Sequence, residues 1–255
     1  MGLLSDLRVI YHMVFKPIRG RDHHERLESF YRGQARDYDA FRQRLLKGRD
    51  ELWSKLPRPE GGIWVDMGGG TAANLEYLGP DIGRLKKIYV VDLAASLLEV
   101  AAERVRRHGW QNVELVHGDA TRFSPPEGLA DVVTFSYSLT MIPDWFAAIE
   151  NARRILRPGG TVGVVDFYVS RKYPPSGLVR HRWRTRWFWP CWFATDNVFL
   201  SPDHLPYLLW RFTPEYLAER RTRIPWVPFG RVPYYVFVGR KPQTDSPLSG
   251  TPASV

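Results

Sequence analysis

Residues 62–78, Gly62-Ile-Trp-Val-Asp66-Met-Gly68-Gly69-Gly70-Thr-Ala-Ala-Asn-Leu-Glu-Tyr-Leu78, constrain the fold more than any other stretch. Ile63 to Val65 is an apolar run with the length of a buried strand, followed closely by an acid and three glycines. From Thr71 to Leu78 the pattern reads as the first turns of a helix. Glycines in a strand-to-helix turn remove Cβ atoms where a ligand must lie against the backbone, and they accept the φ values a sharp turn needs. A loop of this kind is a cofactor site at the carboxyl edge of a parallel sheet.

Gly68-x-Gly70-x-x-Ala73 also satisfies the dinucleotide fingerprint. Asp66, two residues before Gly68, points elsewhere. A pyrophosphate would be repelled by a carboxylate there, whereas a sulfonium amino acid with its ammonium group would be attracted. Further acids follow at the ends of apolar runs: Ile88-Tyr-Val-Val-Asp92-Leu93 and Val113-Glu-Leu-Val-His-Gly-Asp119-Ala120. An acid after the second strand can take both ribose hydroxyls. An acid after the third can accept from an adenine amino group. The plainer reading is that Asp92 and Asp119 are helix N-caps.

The central chain alternates. Strands are expected over 63–67, 87–92, 113–117, 131–136 and 161–167, with helices over 71–79, 95–108 and 144–156. Such alternation predicts a parallel sheet with helices on both faces. Arg157-Pro158-Gly159-Gly160 should stop the last helix and turn into the fifth strand. A further helix is expected from Pro214 to Arg220, then a closing strand from Tyr234 to Gly239, with Arg221 to Ile224 as its antiparallel neighbour. The organisation expected is a helical cap over 1–50, a core over 51–170, an insertion over 171–212, a helix and closing strands over 213–241, and a disordered tail over 242–255 rich in Pro, Ser and Thr.

A chain of 255 residues with 44% hydrophobic composition can bury one substantial core. The net charge of +9 calls for an anionic partner, nucleic acid or an acidic membrane face. The single cysteine, Cys191, leaves no internal disulfide and fits a reducing compartment. Without a signal-peptide pattern or a run of some 18 apolar residues, nothing is expected to span a bilayer. His23 and His24 are adjacent, cannot share a metal from one helix, and have no Cys/His cluster to join, so no metal site is expected. Residues 3–18 carry Leu3, Leu7, Ile10 and Val14 on one helical face, which suits either an interfacial helix or one docked on the core.

Residues 171–190 hold Arg171, Lys172, Arg180, Arg182, Arg184 and Arg186 and no acid, interleaved with Trp183, Trp187, Phe188 and Trp189. The stretch is too aromatic for a solvated charge run and too basic for a core helix. It suits the headgroup layer of an anionic membrane, single-stranded nucleic acid, or a lid with its arginines in water.

With Asp66-x-Gly68-x-Gly70, Asp92, Gly118-Asp119-Ala120 and Leu156-Arg-Pro-Gly-Gly160 in register, residues 60–168 resemble the class I S-adenosylmethionine-dependent methyltransferases. The flanks are similar to the bacterial betaine-lipid N-methyltransferases, on Phe30-Tyr31-x-x-Gln34-Ala35-x-x-Tyr38-Asp39-x-Phe41-Arg42, on Leu46-x-Gly48-Arg49, and on Phe188-Trp189-Pro-x-Trp192-Phe193-x-x-Asp196. The loop departs from the usual pattern in reading Gly68-Gly69-Gly70-Thr71 without a third spaced glycine.

The resemblance implies an α/β, Rossmann-like fold with a seven-stranded, mostly parallel sheet, a helical N-terminal cap and an aromatic, basic insertion after strand five. It implies S-adenosyl-L-methionine as cofactor, with Gly68 and Gly70 under its methionine part, Asp66 towards its ammonium, Asp92 and Leu93 at the ribose, Asp119 and Ala120 at the adenine, and Ser136 near the methionine end. Tyr38 and Arg42 would close over the cofactor, Arg42 as a fork on the methionine carboxylate or else as a surface arginine. The activity implied is three methyl transfers that convert diacylglyceryl-homoserine to diacylglyceryl-trimethylhomoserine. It would run on the inner, cytoplasmic face of an anionic membrane, with a homoserine-transferring synthase as partner and no nucleic acid.

Methyl transfer to an amine is an in-line displacement, so the protein mainly positions and desolvates. A mild proton acceptor suffices, and Tyr31, Tyr137 or Asp196 could provide it. Aromatic faces stabilise a methylammonium by roughly 0.5 to 2 kcal/mol each, which favours Tyr31, Tyr38, Tyr137 and Tyr168 as an open cage. His204 is either another acceptor or a structural histidine at a helix start. The alternatives are phosphatidylethanolamine as acceptor, a quinone or small phenol, RNA (disfavoured because strand four ends Phe135-Ser136-Tyr137-Ser138 rather than in an Asn/Asp-Pro-Pro-aromatic turn), or a cofactor-binding membrane adaptor without activity.

Overall fold

The computed structural model describes residues 46–194, 197–223 and 230–243. The expected N-terminal cap up to residue 45, Ile224 and the tail from 244 onward lie outside the described residues. Within them the order is α1 (Arg49–Lys55), β1 (Ile63–Met67), a 3-10 segment (Ala73–Arg84), β2 (Lys87–Asp92), α2 (Ala95–His108), β3 (Val113–His117), β4 (Ala130–Ser136), a short 3-10 turn (Leu139–Met141), α3 (Trp145–Ile155), β5 (Leu156–Phe167), α4 (Trp183–Ala194), α5 (His204–Arg211), β6 (Thr213–Arg223) and β7 (Arg231–Arg240).

The strands form one seven-stranded sheet in the order β3-β2-β1-β4-β5-β7-β6. The first five run parallel, while β7 is antiparallel to both β5 and β6. This is the Rossmann-like class I methyltransferase arrangement that the resemblance implies. Every residue of β1 is buried, as a strand covered on both faces requires. On one face of the sheet, α1, the 3-10 segment, Ala101 of α2, and Trp189 and Phe193 of α4 enclose one apolar cluster. On the other, α3 and α5 enclose a second around Phe135, Val164 and Phe237.

Several elements differ from expectation. In place of the helix expected over 71–79 there are two 3-10 pieces between Ala73 and Arg84, separated by a kink at Gly79 (φ 53) with Pro80 following, so no continuous α-helical ladder forms. The helix expected from Pro214 to Arg220 is the first part of β6; the helix lies earlier, at His204–Arg211. Ten register pairs with β7, from Thr213↔Arg240 to Arg223↔Arg231, override the weak helical pattern. Pro214 is tolerated because β6 is the sheet edge. Arg221 does pair antiparallel with the closing strand, opposite Pro233. At Arg157-Pro158-Gly159-Gly160 the chain enters β5 directly, with Gly159 at φ 74 and a register irregularity against β4 between Ala130 and Val132.

Two local devices fix the helices that face the site. Asp144 caps α3, its Oδ1 accepting from Ala147 N at 3.1 Å. Gly109 ends α2 in the left-handed region at φ 66.

Candidate active site

The carboxyl ends of β1, β2, β3 and β4 converge on the glycine loop. Gly68 donates to Val91 O at 2.8 Å, and Gly70 donates to Asp92 Oδ2 at 2.8 Å. Gly68 and Gly70 hold φ 67 and 57, which only glycine adopts without strain. Space is a second constraint: a Cβ on Gly68 would lie 2.5 Å from Ser138 Cβ. The loop is therefore pressed between the end of β2 and the segment after β4.

Beneath the loop lies a closed polar network. Asp66 is wholly buried and opposite Thr134 in the β1–β4 register. Its Oδ1 accepts from Thr134 Oγ1 at 2.7 Å and its Oδ2 from Asn74 Nδ2 at 3.0 Å. Trp64 Nε1 donates onward to Thr134 Oγ1 at 3.1 Å. Burial raises the Asp66 pKa, opposed by these hydrogen bonds and by the charge of Arg49. Asp66 is not among the residues lining the cavity above and lies buried under the loop. It braces the turn through Asn74.

The cavity has a volume of about 310 Å³. Gly68, Asp92, Leu93, Asp119 and Ala120 line one side, and Tyr137, Ser138, Met141 and Ile142 line the other. Asp92 Oδ1 also accepts from Ala94 N at 2.9 Å, and Asp119 Oδ1 accepts from Thr121 N at 2.8 Å. Neither acid is a helix N-cap, since Ala94 holds that place before α2 and no helix follows Asp119 before β4; each shapes its own turn and lines the cavity as well. The amides of Gly70 and Ala94 both donate to Asp92. The two carboxylates fit a nucleoside, with an acceptor for a diol at the end of β2 and another for an amino-purine at the end of β3.

The opposite wall is held by residues that the sequence reading had only partly marked. Ser136 does not line the cavity; it is buried and its Oγ accepts from Arg49 Nε at 3.0 Å. Tyr137 does line it, in a left-handed conformation at φ 56, a strain that the surroundings must hold in place. Its hydroxyl donates to Lys47 O at 2.5 Å, its ring lies edge-on to Phe167 at 4.6 Å, and the Arg49 guanidinium sits 5.7 Å from its centroid. Burial pushes its pKa well above 10. A hydroxyl committed as a donor and held protonated is no proton acceptor, so the expected base role of Tyr137 gives way to a positioning and ring-face role. Arg49 was marked only through the flanking Leu46-x-Gly48-Arg49 motif.

Asp166 was missed, although an acid inside the apolar run Val164-Val165-Asp166-Phe167 is a detectable signal. Fully buried, it accepts from Thr140 N at 3.1 Å and Thr140 Oγ1 at 2.8 Å. Burial pushes its pKa up to about 7. Together with Ser138 Oγ donating to Met67 O at 2.8 Å, it fixes the wall from Ser138 to Met141. His204 is not an acceptor: it is fully buried 4.6 Å from the Trp145 ring, and neither ring nitrogen has a partner among the described residues. Tyr168 is buried too, its hydroxyl bonded to Glu219, and it does not line the cavity. Tyr31, Tyr38, Arg42 and Asp196 lie outside the described residues. Among the described residues, no group of three or more metal-ligating side chains forms a metal site.

Comparison with known proteins identifies the cofactor. Demethylmenaquinone methyltransferase of Geobacillus stearothermophilus is 30% identical over 149 residues, which is 58% of this chain and 59% of that protein. The chain thus spans under two thirds of the length of this curated relative. Among solved structures, Haemonchus contortus phosphoethanolamine N-methyltransferase 2, in complex with phosphomonomethylethanolamine and S-adenosylhomocysteine, superposes with a TM-score of 0.62 at 16% identity, covering 84% of this chain and 59% of that one. N-methyltransferase NodS from Bradyrhizobium japonicum, with S-adenosylhomocysteine, gives 0.54 at 14% identity, covering 93% and 98%. At these identities the structures speak for the fold. The ubiE/COQ5 methyltransferase family matches residues 22–175, more than half of the sequence and including all five parallel strands. The chain is therefore an S-adenosylmethionine-dependent class I methyltransferase of the ubiE/COQ5 family.

Proposed function

We propose that the enzyme methylates the amine of a lipid headgroup, converting diacylglyceryl-homoserine to diacylglyceryl-trimethylhomoserine by successive transfers. The reading rests on the flanking motifs that resemble the betaine-lipid enzymes, and the structure describes one of them in full, Leu46-x-Gly48-Arg49, within the 22–175 stretch that the ubiE/COQ5 family also matches. These residues belong to the flank that resembles the betaine-lipid enzymes, and they are built into the wall beside the end of β4: Arg49 bonds Ser136, and Lys47 O holds the Tyr137 hydroxyl.

In this reading Asp92 takes the ribose, Asp119 and Ala120 meet the adenine, and Gly68 lets the methionine part lie against the loop. Asp66 and Ser136 act from beneath, by fixing the loop and the end of β4. S-adenosylmethionine supplies an electrophilic methyl group when bound. The protein's part is to orient the amine and exclude water. Transfer needs the amine's lone pair, and removal of the headgroup from water favours the neutral amine. The Tyr137 ring offers its face to the methylammonium that accumulates. A homoserine-transferring synthase would supply the acceptor.

A second reading, C-methylation of a quinol, is favoured by the name of the demethylmenaquinone relative. The family match covers residues 22–175, the N-terminal flank and the cofactor half, and ends before α4, α5, β6 and β7. Phosphatidylethanolamine is the nearest other amine. Expression of the full chain with and without the homoserine-transferring synthase, followed by lipid mass spectrometry, separates the three. Trimethylated homoserine lipid appearing only when both are present supports the proposal. A methylated quinone or phosphatidylethanolamine with no change in homoserine lipid contradicts it.

A further inference from the structure

We infer that α4 is a docking face for an anionic phospholipid bilayer. The inference names the partner that would present the proposed lipid acceptor to the cavity, and so rests on that reading.

Helix α4 has two unlike sides. Trp189 and Phe193 are buried, and the Phe193 ring lies 5.0 Å from Phe167, which itself touches Tyr137 of the cavity wall at 4.6 Å. The inner side is therefore two ring contacts from the site. On the outer side Trp183 and Trp187 are 66% and 65% exposed, four residues apart and so one above the other. Phe188 and Trp192, also four residues apart, form a second exposed pair further round the helix, with their rings stacked at 5.7 Å. Just before the helix, Tyr173 is 71% exposed and carries Lys172 and Arg180 over its ring, each 5.3 Å from the centroid. Arg184 lies 5.6 Å from the Trp183 ring.

Two neighbouring pairs of exposed aromatics of this size, on the side of the helix away from Trp189 and Phe193, mark an interaction surface rather than scattered surface apolar residues. The charge names the partner. Residues 171–194 hold six Arg and Lys and no acid. Arg171 is paired with Asp203 and Arg186 is half-buried, while Lys172, Arg180, Arg182 and Arg184 are exposed, so the face is complementary to lipid phosphate. Indole rings settle in the headgroup layer, and arginine forks pair with phosphate. A bilayer fits better than a nucleic acid because the helix leads inward to the cavity, where a lipid headgroup has to arrive. The loop after α4 reinforces the link, since Phe199 N donates to Thr140 O at 2.8 Å on the cavity wall while its ring is exposed.

The test is sedimentation of the full chain with phosphatidylcholine vesicles, with and without phosphatidylglycerol, at low and high salt. The chain should partition onto the anionic vesicles alone and be released by salt. The variant R180Q/R182Q/R184Q should lose on the order of a hundredfold in partitioning, given the contribution of each basic residue near an anionic surface. W183S/W187S should also lose binding while retaining cofactor affinity by calorimetry and methyl transfer to a detergent-dispersed acceptor. Quenching of wild-type tryptophan fluorescence by brominated lipid gives a readout that needs no variant. No binding to anionic vesicles at low salt, no quenching, tighter binding to single-stranded RNA than to vesicles, or a dimer abolished by W183S/W187S would each overturn the inference. Vesicle binding with no transfer to the dispersed homoserine lipid would instead overturn the proposed acceptor and leave the docking face standing.

Discussion

Asp92 carries two tasks with one side chain, closing the Gly70 and Ala94 turns and facing the cavity. Its loss removes charge-assisted hydrogen bonds of about 1.5–3 kcal/mol each, so Asp92→Ala should weaken cofactor binding by roughly a hundredfold or more in calorimetry. Near-wild-type affinity would refute the ribose assignment. His204 poses a different problem, since burial lowers its pKa to about 3. A group whose folded pKa is depressed contributes stability above its unfolded value of about 6.5 and loses it as pH falls towards the folded value. Between about pH 7 and pH 5 the wild type should lose roughly 2 kcal/mol through this residue. His204→Phe should abolish that loss whatever its packing does at neutral pH. Urea unfolding at both pH values checks this, and equal pH dependence in the two proteins would contradict it. His181, also depressed to about 4, is common to both proteins and cancels in the difference.

At the scale of elements, α1 and the residues just before it tie the N-terminal flank to the sheet. Gly48 caps α1 at φ 84, and a Cβ there would lie 2.6 Å from the Tyr234 ring. Left-handed strain of about 1–2 kcal/mol adds to an overpacking cost of about 1–3 kcal/mol, so Gly48→Ala should destabilise by roughly 2–5 kcal/mol. Because Lys47 O and Arg49 flank the substitution, turnover should fall more than cofactor affinity. A variant with wild-type unfolding and turnover would show that this segment is merely surface. The elements legible in the sequence were those with a strong local signal: apolar runs ending in an acid, and the helices over 95–108 and 144–156 between them. Where the signal was long-range, the expectation failed. Thr213–Arg223 is a strand because β7 pairs with it, and Ala73–Arg84 is not an α-helix because Gly79-Pro80 interrupts it.

For the molecule as a whole, the parallel half of the sheet and its cofactor edge were readable from sequence because each strand end places its functional residue by position. The depth of each side chain was not readable. Asp66 and Ser136 sit below the cavity and Asp166 behind its wall, distinctions set by packing between strands far apart in sequence. The cofactor half is shared with the quinone methyltransferases, while the elements after residue 175 carry the exposed aromatic, basic face. Among the described residues no helix is long and apolar enough to cross a membrane. The acceptor is therefore the point on which the account turns. The most direct test supplies the purified full chain with labelled S-adenosylmethionine and two detergent-dispersed acceptors in one vessel, diacylglyceryl-homoserine and demethylmenaquinol. The account predicts label in mono-, di- and trimethylated homoserine lipid and none in the quinol. Label in menaquinol alone would contradict it.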